Sequence, residues 1–168
     1  EAELDAVTHV KKSYSPWTIS VAAGLACGGF CVQFGCDWPS FFYASFAAIL
    51  GFRLKMWCAH RGLNGYVGIA ISAFMATILA WLMSFISLDP TISAVVPMFM
   101  HSETPYHPLK ACMLFIVPGV PLINFVSDMI SDYVQVGLTR AITTLMMVLA
   151  MSFGIVLAIE VCHIDNFA

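Results

Sequence analysis

Apolar positions in this chain fall in long blocks that do not alternate with polar ones. Five blocks stand out, at about 16–34, 40–57, 66–88, 109–126 and 140–161. Each approaches the roughly 20 residues that a helix needs to cross the hydrocarbon core of a bilayer. The third, Tyr66 to Leu88, is the cleanest, with 23 residues and no charge. A transmembrane barrel would instead show short alternating segments. The pattern predicts an all-α, multi-spanning membrane protein with about five transmembrane helices. A polar lead-in segment at 1–15 precedes the 16–162 membrane domain and is read as a helix ending in Lys11 and Lys12. A short external tail, 163–168, follows.

Local signals refine these blocks. Pro16 suits a first helical turn, and Trp17 suits a membrane interface. Gly24 and Gly28 are four apart in the first block, and Ala150, Gly154 and Ala158 repeat that spacing in the fifth. Small residues so spaced let helices approach closely. Thr91 to Met100 is apolar but too short to cross unaided.

The fourth block carries a fault. Pro118-Gly119-Val120-Pro121 places two prolines three residues apart. Each lacks a backbone donor and crowds the carbonyl four residues back, so the fourth helix is predicted to break there. In lipid the freed carbonyls cost several kcal/mol each, so the break must face protein or a wet cavity. Asn124, Asp128 and Asp132 follow at i, i+4 and i+8 and share one face if helix resumes. A broken membrane helix followed by polar residues is the local plan of many transporter sites.

Composition narrows the class. The chain has 168 residues, 60% hydrophobic and 10% charged, with a mean hydropathy of +0.87. Soluble domains carry about 25% charged residues. No basic patch points to nucleic acid. With the N-terminus cytoplasmic, five spans put Lys11, Lys12, Arg53, Lys55, Arg61 and Arg140 inside and leave Lys110 outside. That asymmetry predicts the orientation. The chain opens Glu1-Ala2-Glu3 and reads as the remainder of a longer protein with a soluble N-terminal part.

The six cysteines include no C-x-x-C. Cys27 and Cys31 lie one helical turn apart, but small apolar residues in a membrane helix is the plainer reading of all six. His101, Glu103 and His107 match no standard metal spacing, so no metal and no cofactor is expected. No H-E-x-x-H or G-x-S-x-G is present, and no nucleophile–base pair stands out, so no enzyme and no catalytic residue is expected.

The run PGVPLINFVSDMISDYVQVGLTR resembles the threonine/serine exporter family of bacterial membrane proteins. The likeness lies in the Pro-Gly, the Leu-Ile-Asn, an Asp four residues after that Asn, and a Gly-x-x-Arg opening the next helix. Asp89-Pro90-Thr91-Ile92 also resembles a family segment. The chain is most similar to the larger subunit of split members, which are associated with succinate export. The resemblance implies a bacterial inner-membrane exporter, a second small membrane subunit of the same family or self-association, and a small carboxylate or hydroxy amino acid substrate. Two departures show: 98–110 looks like an external insertion, and the family tends to have glycine where this chain has Asp132.

The residues at the break fit such a substrate. A restarting helix offers free N–H groups and a partial positive charge. Pro118, Gly119 and Pro121 shape that end, Asn124 can donate and accept, and Arg140 can hold a carboxylate at two points. Asp128 suits a proton site, a ligand for a substrate ammonium or a partner of Arg140. A purely structural Asp128–Arg140 pair, pinning the turn between spans, stays open. The expected function is a membrane subunit of a proton-linked secondary exporter. The alternative is a structural or regulatory membrane subunit that scaffolds a partner transporter.

Overall fold

The computed structural model describes residues 14–88, 102, 104 and 107–163. Residues 1–13 of the lead-in segment, the Thr91–Met100 run, His101, Glu103 and the tail after His163 lie outside them. Among the described residues all regular structure is helical: α1 (Pro16–Gln33), α2 (Trp38–His60), α3 (Gly65–Leu88), α4 (His107–Ala111), α5 (Gly119–Ile130) and α6 (Val134–Cys162). No group of three or more potential metal ligands occurs among them.

Each of the first three helices starts on a recognisable signal. The Ser15 hydroxyl accepts the Trp17 N–H at 3.2 Å, with Pro16 in the first turn of α1. Asp37 and a proline open α2, and the Asn64 side chain accepts the Tyr66 N–H at 3.0 Å ahead of α3. α3 and α6 are long and apolar enough to cross a membrane. α1 and α2, at 18 and 23 residues, have the length but a lower hydropathy. Two spans thus meet both criteria where five were expected.

Helices pack in the order α1 on α2, α2 on α3, α3 on α6 and α6 on α5, with α4 touching the first three. Small residues set the close approaches. A methyl group at Gly24 would lie 2.7 Å from the Ser45 carbonyl oxygen of α2, so only glycine lets those backbones meet. Gly154 stands against the Ala70 carbonyl of α3 in the same way. The spacings of small residues therefore serve contacts within the chain.

The fourth expected span is corrected. Residues 109–126 are not one helix: α4 ends at Ala111, turns run through Ile116, and α5 starts at Gly119. The break lies mainly upstream of the Pro-Gly-Val-Pro motif, which forms the first turn of α5 with Pro118 as its cap. Proline is tolerated in a first turn, whose N–H groups have no helical acceptor. The broken stretch is buried in protein. Leu109, Cys112 and Met113 pack with Ala47, Ala76 and Ala80, and Ile116 packs with Ile69 and Ala73. Short turns pair its backbone, with Leu114, Ile116 and Val117 donating to Ala111, Met113 and Leu114.

A disulfide joins Cys31 at the end of α1 to Cys36 before α2. This corrects the reading of those two cysteines as plain apolar residues. Cys27 stays free and buried. Helical neighbours one turn apart hold their Cβ atoms about 5–6 Å apart, beyond disulfide reach. The turn at Gly35, with φ +83°, brings Cys36 back so that its Cα lies 5.6 Å from that of Cys31. Beside it, Ser102 and Thr104 dock on α2. The Ser40 Oγ is 2.6 Å from the Ser102 Oγ and donates to the Thr104 carbonyl at 3.3 Å.

Candidate functional site

The site is built by α5 and the first half of α6, joined by a three-residue turn. α5 ends at Ile130, and the Ser131 and Tyr133 N–H groups donate back to the Ser127 and Asp128 carbonyls, each at 3.0 Å. Between them Asp132 takes φ +64°. Asp132 is thus the pivot of the turn and does not extend the Asn124–Asp128 face, which corrects the expected three-residue stripe. A φ near +60° is natural for glycine and tolerable for aspartate. Gly137 then lets α6 close on α5, where a Cβ would meet the Phe125 carbonyl at 3.1 Å.

This hairpin brings Asp128 and Arg140 together. The Arg140 Nη1 donates to the Asp128 Oδ2 at 2.5 Å. The side chains are 50% and 22% exposed. A pair so open contributes on the order of 0–1 kcal/mol to stability. It orients the guanidinium more than it holds the fold. One Nη is committed to Asp128, and the other guanidinium N–H groups stay available.

Beside the pair lies a cavity of about 300 Å³ lined by Pro121, Asn124, Thr139, Arg140, Thr143, Thr144 and Met147. The structure therefore places Pro121, Asn124 and Arg140 around one space. Asp128 reaches it through Arg140. Pro118 and Gly119 line a neighbouring cavity of about 480 Å³, which shares Pro121 and Met147 with the first.

The three threonines were missed in the sequence. The signal was present: 139, 143 and 144 repeat at helical spacing around Arg140. Each hydroxyl donates to the carbonyl four residues back, at 2.9, 2.9 and 2.8 Å. Their oxygens keep acceptor capacity. The wall thus combines a guanidinium, a carboxamide and hydroxyls, with a carboxylate just behind. Such a set can take a carboxylate at the guanidinium and a hydroxyl or ammonium nearby.

A family model described as "Putative threonine/serine exporter" matches residues 1–162. Two curated relatives carry the name "Probable succinate transporter subunit YjjP". The Klebsiella aerogenes protein is 30% identical over 155 residues, covering 92% of this chain and 55% of that protein. The Escherichia coli K12 protein is 29% identical over 148 residues, covering 88% and 53%. The chain spans about half the length of the curated relatives it matches. No solved structure matches it. With a family match along nearly its whole length, the chain belongs to the threonine/serine exporter family.

Proposed function

We propose that this chain is the membrane part of a proton-linked secondary exporter subunit for small carboxylates or hydroxy amino acids. It works in the bacterial inner membrane with its N-terminus cytoplasmic. A second small membrane subunit, a second copy, or both complete the pathway. One observation carries the reading: Asn124, Arg140 and three threonines line a single cavity next to the restart of a broken helix. Pro118, Gly119 and Pro121 shape that restart, Arg140 takes the substrate carboxylate, and Asp128 holds Arg140 and exchanges a proton.

Two further features support the topology. Six of seven lysines and arginines fall on one side of a five-span layout. The Cys31–Cys36 disulfide lies at the α1–α2 turn, which the same layout puts outside, where disulfides persist. The test is export of labelled succinate, threonine and serine from cells with and without the full-length gene and its neighbouring membrane subunit. No difference for any of the three solutes would refute the exporter reading.

The scaffold reading draws on one observation of its own. α5 has no buried residue, and Ile123 and Ile130 are 71% and 79% exposed. An apolar face of that kind fits a partner subunit or lipid. Unchanged export when Arg140 and Asn124 are both replaced would favour it.

A further inference from the structure

The cytoplasmic end of α2 carries three basic residues with different fates. The Arg53 guanidinium lies 4.5 Å from the Trp17 ring centroid. Arg61 lies 4.9 Å from the Trp57 ring centroid. Both are thereby occupied on aromatic faces. Lys55 is partly buried and has no carboxylate partner among the described residues, whose one ion pair is Asp128–Arg140. Sequence position predicts that it snorkels to the membrane surface. It lines the cavity of about 480 Å³, together with Asn64, Phe115, Pro118, Gly119 and Val120.

A sheltered cation without a partner is costly, and within a membrane segment it marks a functional position. What faces it across the cavity favours an anion as well. α5 starts here with no side-chain cap. The Leu122 N–H reaches the Pro118 carbonyl and the Gly119 N–H the Val117 carbonyl, while the Val120 N–H has no described acceptor. The Asn64 side-chain oxygen accepts from the Tyr66 N–H, which leaves its NH₂ group as a donor. No aspartate or glutamate lines the space.

We propose that this cavity is a second carboxylate subsite, with Lys55 as its cation. It adjoins the Arg140 cavity across Pro121 and Met147, which line both. The proposal rests on the exporter reading and adds a station to it: the solute anion meets Lys55 on one side of the α5 start and Arg140 on the other. The prolines of the motif then have a positional use. They leave the first turn of α5 short of donors to satisfy, with the Val120 N–H free to bond a ligand.

The full-length protein, with any subunit that co-purifies, is titrated with succinate in nanodiscs by calorimetry. Serine and uncharged succinamide serve as comparisons. Lys55→Gln should weaken succinate binding by about tenfold or more, and Lys55→Arg should stay within about threefold. Lys55→Gln should also melt at or above the unmodified protein, because it removes an unpaired sheltered charge. Ala59→Phe, at an exposed position on the same wall, should occlude the space and weaken succinate equally with Lys55 intact. Unchanged succinate affinity in Lys55→Gln or in Ala59→Phe overturns the subsite and leaves the exporter reading standing. So does a Lys55→Arg loss as large as that of Lys55→Gln, since shape rather than charge would then matter. If the unmodified protein binds succinamide as tightly as succinate, charge recognition is overturned. If it binds neither succinate nor serine, the exporter reading falls and takes the subsite with it.

Discussion

Asp132 sits at φ +64°, where a Cβ crowds the next carbonyl. Aspartate lives there at modest cost, glycine at none, and a β-branched residue poorly. Asp132→Gly is therefore expected to keep both the melting temperature and export. Asp132→Val should cost on the order of 1–2 kcal/mol, seen as a lower thermal midpoint. A valine variant as stable as the parent would contradict the left-handed turn. Asp128 and Arg140 call for the opposite experiment. Their side chains are 22% and 50% exposed, so breaking the pair removes about 1 kcal/mol at most. Asp128→Asn and Arg140→Gln should reach the membrane at near-normal levels yet export at least about tenfold more slowly per molecule. Export rates normalised to membrane protein, taken across pH, decide this. Normal export by Asp128→Asn would remove it as a proton site.

At the scale of elements, the small-residue seams carry the packing. Gly154 faces the Ala70 carbonyl of α3, so Gly154→Leu should loosen α6 from α3 at a cost of roughly 1–3 kcal/mol. Thermal melting in detergent measures it, and a neutral result would mean the two helices are not so closely apposed. Hydropathy located α1, α2 and α3 to within three residues at each end, because each is a continuous apolar block opened by a capping or proline signal. It failed at 109–126. An apolar run scores alike whether it crosses lipid as a helix or lies buried in turns, and nothing apolar in Cys112 to Ile116 separates the two. Proline chemistry located a break, but placed it within the motif; the motif instead opens α5, where missing donors do no harm. Asn124 and Arg140, which line one cavity, were legible as candidates because polar groups in apolar surroundings stand out. Thr139, Thr143 and Thr144 were not, since hydroxyls that bond their own helix are common in membrane spans.

For the molecule as a whole, orientation and redox state make one joint expectation. A cysteine introduced at Thr104 should be labelled from outside the cell and one at Asn64 should not; the reverse pattern would invert the topology. Alkylation before and after reduction should reveal two additional thiols, Cys31 and Cys36, in protein taken from cells. Finding both already reduced would count against an external α1–α2 turn. Finally, α6 is a single helix of 29 residues, about 43 Å long and well beyond a hydrocarbon core of about 30 Å. Its later part is seated on α3 through Gly154, while Arg140 stands fourteen residues earlier, about 21 Å along the same rod. Were such a rod to pivot at the glycine, it would act as a lever. A tilt of about 10° there sweeps Arg140 through roughly 4 Å, more than the length of a hydrogen bond. If Arg140 serves transport as proposed, a small rocking of α6 on α3 would suffice to move the guanidinium in or out of its cavity.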